Sequence, residues 1–306
     1  MSAARIWVAL LVVYVVWGST YLGILLAIRT IPVFLMTAVR FLVAGSLLYA
    51  WSIRRGDREG DRPGRKQWSA AVVVGAALFL VGNTGVAWAE QRVDTGVSSL
   101  VIATIPLWIA VFDRLATGQH LTRLGALGLV VGFAGAALLA GPTGAGRIDV
   151  TGAIVLLLAA ASWAAGSLYS RRAPLPRRPL VSSSMQMLTG GALLAVVAAA
   201  SGEVGRVHHV SATSGIALVY LILFGSLLAF TCYAWLLRTA RTSLVATYAY
   251  ANPLVAVFLG WAVENESIGT RTLVAGALIL AAVALIVSPP RERPRNAAVA
   301  VPARGS

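Results

Sequence analysis

Ten long apolar runs, separated by short links carrying charges, glycines or prolines, decide what this chain can become. They are Ile6–Ala27, Val33–Ile53, Trp68–Ala89, Thr95–Phe112, Leu124–Gly141, Val150–Ser170, Leu180–Ser201, Ala212–Leu237, Ser243–Val263 and Thr272–Ser288. A helix crossing ~30 Å of hydrocarbon needs about 20 largely apolar residues. Lipid offers the backbone no hydrogen-bond partner, so a spanning segment is a helix or a strand of a closed barrel. These runs are too long for strands and lack period-two alternation, so all are expected as helices. The first follows Arg5 as a signal peptide would. At 22 residues it exceeds a signal core of about 7–15, and no small-residue cleavage site follows, so it is expected as the first span.

Composition agrees. Of 306 residues, 58% are hydrophobic and 12% charged, with a mean hydropathy of +0.81. Soluble domains carry about 25% charged residues. Too little polar surface remains to cover a water-soluble globule, which excludes a soluble enzyme or a disordered regulator. The net charge of +14 would suggest a nucleic-acid partner in a soluble protein, but here the arginines cluster between the runs. With the N-terminus cytoplasmic, nineteen basic residues fall in inner segments and five in outer loops, Arg40 lying within a helix. That excess matches the positive-inside rule with both termini in the cytoplasm. The lone Cys232 forbids an intrachain disulfide, and arginine richness with one lysine, Lys66, suggests a GC-rich bacterial genome.

The chain also repeats itself. A shift of 147 residues lays Thr84 on Thr231, Trp88 on Trp235, Thr95 on Thr242 and Pro106 on Pro253, and a shift of 146 lays Trp17 on Trp163. Five helices per copy is an odd number, so the second copy enters the membrane from the opposite side. The expectation is an all-α integral membrane protein of ten transmembrane helices in two inverted five-helix repeats. The copies cover 6–141 and 150–288, between a cytoplasmic N-terminus, 1–5, and a disordered cytoplasmic tail, 289–306. Inverted repeats are the architecture of secondary transporters, with the site near the midplane.

Several motifs carry a family resemblance. Trp17-Gly18-Ser19-Thr20-Tyr21, Arg40-Phe41, Pro106 and Pro253, and Glu266-Ser267-Ile268 followed by Gly276-Ala277-Leu278-Ile279-Leu280 resemble the EamA family of the drug/metabolite transporter superfamily. The resemblance runs from about Trp7 to Ser288. It implies two EamA repeats exporting small metabolites, amino acids or drug-like compounds across a bacterial inner membrane. One departure stands out: Glu266 precedes the last helix, but the matching stretch before helix 5 reads Gly118-Gln119-His120.

Candidate substrate-binding residues follow from polarity and depth. Pro106 and Pro253 lie near mid-span, where a proline frees the carbonyl four residues earlier, here Ile102 and Ala249. Tyr248, Tyr250 and Asn252 add polar lining beside Pro253, and Asn83 adds it in helix 3. Arg40, ~10 Å along its helix from Val33 at 1.5 Å per residue, is the one clear charge inside a span. Such residues face a water-filled interior or a partner. Arg40 is expected to meet a substrate carboxylate or phosphate, or to pair with Glu90. Trp17 and Trp163 lie deep enough to line a cavity with Thr20 and Tyr21, or simply to pack between helices. Trp88 and its mate Trp235 are candidate gates at opposite ends, with belt anchoring as the plainer role. Glu90 is the candidate for coupling to protons, ahead of Asp113. The Gly128–Gly132 spacing suits a homodimer contact or, preferably, an intrachain one.

No nucleotide, zinc-protease or aspartyl-protease motif occurs, His208-His209 is a weak metal signal, and no cofactor is expected. The expected partners are a small-molecule substrate and the bilayer. The competing reading is a membrane-embedded or lipid-modifying enzyme using Arg40 and Glu90.

Overall fold

The computed structural model describes residues 3–54, 63–118, 123–140, 149–240, 242–245 and 247–287. The described residues are helical wherever they are regular. Counting interrupted helices as one, the order is α1 (Ala3–Ala27), α2 (Val33–Arg54), α3 (Arg65–Ala89), α4 (Thr95–Thr117), α5 (Arg123–Ala140), α6 (Val150–Arg172), α7 (Pro179–Ala200), α8 (Ala212–Leu237), α9 (Tyr248–Glu264) and α10 (Thr270–Val287). Seven of them, all but α5, α9 and α10, are long and apolar enough to cross a membrane. Those three hold shorter apolar helices, Leu124–Leu138, Ala251–Glu264 and Thr270–Leu285. The expected tail and residues Gln119 and His120 lie outside the described residues.

Two helices are broken where a single run was expected. α4 consists of Thr95–Ile102 and Ile105–Thr117, with Pro106 in the first turn of the second piece. Proline suits that position, because its missing N–H would have no intrahelical partner there. So Pro106 opens a helix instead of kinking one. Before α9 a separate turn of helix, Thr242–Val245, precedes Thr247, and Pro253 stays inside the longer piece. Two others widen: α3 is a π-helix over Ala76–Asn83, and α8 over Leu221–Leu228.

With each interrupted helix taken whole, the strongest pairings are α2 with α7 and α3 with α6, then α5 with α10 and α1 with α8, followed by α3 with α7, α4 with α6, α1 with α9, α4 with α9 and α2 with α8. Adding five to a helix number, counting round from ten to one, carries α2·α7, α5·α10 and α4·α9 onto themselves. It exchanges α1·α9 with α6·α4, α1·α8 with α6·α3, and α3·α7 with α2·α8.

The α2·α7 seam is the most extensive. A Cβ on Gly45 would stand 3.0 Å from Leu188 N, and one on Gly191 would stand 2.9 Å from Leu42 N. The pairs Gly45–Leu188 and Leu42–Gly191 make the two helices antiparallel. Side chains tie both ends: Glu203 accepts from Leu35 N at 2.9 Å, and Arg178 Nη2 donates to the Ser52 carbonyl at 2.8 Å. A carboxylate at a helix start and a guanidinium at a helix end both complement the helix dipole. α5 and α10 are also antiparallel, with Gly132 against Ala282 and Gly135 against the Ala275 carbonyl, so Gly132 makes an intrachain contact. Trp7, Trp51 and Trp261 are exposed on the apolar exterior, in keeping with interfacial anchors.

Candidate functional site

Two of the sequence-selected aromatics, Trp17 and Tyr248, meet at α1. The Trp17 ring lies 5.0 Å from Tyr233, 5.2 Å from Tyr248 and 5.3 Å from Phe230. Next to it, Gly18 lets α9 approach, since a Cβ there would come 2.6 Å from Val255 Cβ. Burying an indole requires a partner for its N–H. Trp17 Nε1 donates to the Gly225 carbonyl at 3.2 Å, and Thr20 Oγ1 donates back to the Trp17 carbonyl at 2.6 Å. With its amide nitrogen facing them, Asn252 donates to the Tyr14 and Tyr248 carbonyls at 3.3 and 3.1 Å. Tyr14 OH and Thr247 Oγ1 are hydrogen-bonded across the α1–α9 boundary.

Phe79 of α3 extends this cluster to Trp163 of α6. Phe79 lies 6.4 Å from Phe230 and 6.3 Å from Trp163. Trp17 and Trp163, mates by sequence, thus end one train of rings. Arg40 enters from α2, 3% exposed, with its guanidinium 4.9 Å from the Phe41 ring, itself 4.4 Å from Phe79. Arg40 Nε donates to Ser226 Oγ at 3.0 Å and Nη1 to Asn83 Oδ1 at 3.5 Å. Arg40 and Glu90 also interact electrostatically.

The remaining selected residues lie elsewhere. Tyr21 packs against the separate cluster that contains Leu100, Leu107 and Ile279, and Pro106 adjoins that cluster through Leu107. Trp88 lies under the Arg92 guanidinium, 3.9 Å from its ring centre, whereas Trp235 packs with Leu10, Val13 and Leu236. The Tyr250 side chain lies outside the described residues. Asp113, His208 and His209 are exposed, and no metal-ligating group of three occurs among the described residues.

A cavity of about 560 Å³ opens between the end of α1, the α3–α4 link and the α9–α10 link. Its wall includes Leu25, Arg29, Glu90, Asp94, Glu264 and Glu266. Arg29 and Glu264 form an ion pair, and Glu266 accepts from Thr95 N at 2.6 Å and Gly96 N at 3.0 Å, capping α4. Glu90, the residue after α3, is fully buried. Burial, then the Glu266 carboxylate, push its carboxyl well above the ordinary range, with Arg40 pulling the other way. A carboxyl raised in the fold contributes stability below its unfolded value, lost as pH rises through the folded one. Glu90→Gln is therefore expected to melt at a higher temperature than the parent protein at about pH 8, and with it at about pH 4. Melting curves in detergent across that range check this.

Sequence reasoning missed Ser226, Gly225, Phe79, Phe230 and the capping role of Glu266. Gly225-Ser226 was a readable polar notch in an apolar run, and the phenylalanines carried no signal.

The sequence profile of the EamA-like transporter family matches twice, over residues 5–141 and 150–288. The chain is 36% identical over 282 residues to the inner membrane transporter YedA of Escherichia coli K12, covering 91% of this chain and 89% of that one. It is 26% identical to a chloroplastic WAT1-related protein of Arabidopsis thaliana, over 92% of this chain and 69% of that one. A crystal structure 21% identical in sequence superposes with a TM-score of 0.60 over 93% of this chain and 96% of its own, a likeness of fold.

Proposed function

The chain belongs to the EamA-like transporter family, and on that premise we propose a secondary carrier. It exports small organic metabolites, amino acids or drug-like compounds across the bacterial cytoplasmic membrane by alternating access. α5, α9 and α10 complete ten passes, arranged as two inverted five-helix repeats with both termini in the cytoplasm. The observation that carries this reading is the antiparallel packing of α2 on α7 and of α5 on α10, each helix against its own repeat mate. A two-fold axis in the membrane plane requires that arrangement, and it is the symmetry that interconverts two access states.

The solute site lies along the ring train between Trp17 and Trp163, with Arg40 to hold an anionic group. The cavity beside Glu90 is its approach from one end, and the Trp235 cluster closes the other. Purified protein in sealed vesicles tests the proposal by counterflow. Preloading with one member of a metabolite panel should drive uptake of its radiolabelled form, saturably and without ATP. If no panel member exchanges while lipid is turned over, the protein is an enzyme and the carrier reading fails.

A further inference from the structure

The π-helical segments Ala76–Asn83 and Leu221–Leu228 overlap under the repeat shift, offset by two residues, in α3 and α8. π turns are rare, hold one residue more than an α turn, and concentrate at functional sites. Here each has a main-chain carbonyl taken by a donor from another helix. Trp17 Nε1 in α1 donates to Gly225 O, and Ser162 Oγ in α6 donates to Ala77 O at 2.9 Å. The repeat shift sets Trp17 beside Ser162 and lays Ala77 on Gly225 within one residue. Both segments are therefore held alike from one side.

From the other side they share a single holder. Asn83 ends the first segment and Ser226 lies within the second, and both accept from Arg40. The absence of a side chain at Gly225 makes room: a Cβ there would stand 2.9 Å from Thr20 Cγ2 and 3.3 Å from Arg40 Nη2. Among the described residues no second holder mirrors the first. A shift of 146 lays Arg40 on Gln186, whose amide donates to Ser182 Oγ in its own helix at 2.9 Å.

We propose that Arg40 clamps the two π segments together across the repeats, with Asn83 and Ser226 as its positioning residues. Transport proceeds through release of that clamp. The clamp rests on the carrier reading. Release starts at Asn83, where the bond is 3.5 Å against 3.0 Å at Ser226, because a longer hydrogen bond is the weaker. Once released, the segments shift relative to each other and loosen the cluster of Leu10, Leu236 and Val245 below the second one.

Cys232, the sole cysteine, lies in α8 just past its π segment and packs partly buried in that cluster. It reports on release without any added label site. The experiment compares maleimide modification of Cys232, and transport, in the full-length protein and in Ser226→Ala, Asn83→Ala and Ser226→Thr, in vesicles. Losing one hydrogen bond to a charged group is worth about tenfold in an equilibrium. Ser226→Ala is expected to speed modification about tenfold and to lower the maximal transport rate. Asn83→Ala should move both in the same direction by less, and Ser226→Thr, which keeps the hydroxyl, should stay within about twofold of the parent. Should Ser226→Ala fail to fold, Asn83→Ala in the other repeat carries the same comparison. Parental modification rates in folded alanine variants overturn the clamp while leaving the carrier standing. Absence of counterflow by the parent protein overturns the carrier instead.

Discussion

Replacing Arg40 with glutamine is expected to cut transport by about 10- to 100-fold, the worth of one to two charge-assisted hydrogen bonds, while the protein keeps its normal abundance. The two halves of that result have separate causes. Arg40 is 3% exposed, and its hydrogen bonds to Ser226 and Asn83 go to neutral groups. Burying an ion costs several kcal/mol that neutral partners recover only in part, so a neutral side chain at this position does not unfold the protein. Glutamine is too short to reach α3 and α8 together, so the cross-repeat link is lost. Transport assays at matched protein level decide it. Normal rates at normal abundance would remove Arg40 from the mechanism altogether.

Gly75→Val is expected to have the largest effect on stability. A Cβ at Gly75 would lie 2.6 Å from the Gln186 carbonyl, 2.8 Å from Gly190 N and 2.5 Å from Thr189 Oγ1. Two of those three atoms are backbone and cannot swing aside. α3 and α7 would have to separate, also unpacking Phe79 from Gly190. Overpacking of this kind costs about 1–3 kcal/mol even where side chains yield, and more where they do not. The variant should lose most of its folded yield, and what is recovered should melt well below the parent in detergent. By contrast Gly215→Ala, which meets nothing within 4 Å, should match the parent.

How much of this was legible in the sequence depends on range. The apolar runs became helices because lipid leaves the backbone no alternative, and Arg40 stood out because a charge in such a run has to be accounted for. The repeat was visible in Trp88 and Trp235 and in the two prolines. The breaks were half visible: Pro106 marked one, but as the start of a helix piece, while the turn at Thr247 lies six residues ahead of Pro253. The π segments were invisible, since Leu221–Leu228 has the composition of any apolar helix. Ser226 could not be matched to Arg40, nor Glu266 to the start of α4. Those partners stand 186 and about 170 residues apart, and a single sequence holds no record of contacts at that distance.

The α2·α7 seam has a mechanical consequence. With backbones touching at Gly45 and Gly191, and the ends pinned by Glu203 and Arg178, this pair has no slack in which to slide. On the carrier reading, whatever moves during a cycle must pivot around it, as the leaves of a hinge turn about a fixed pin.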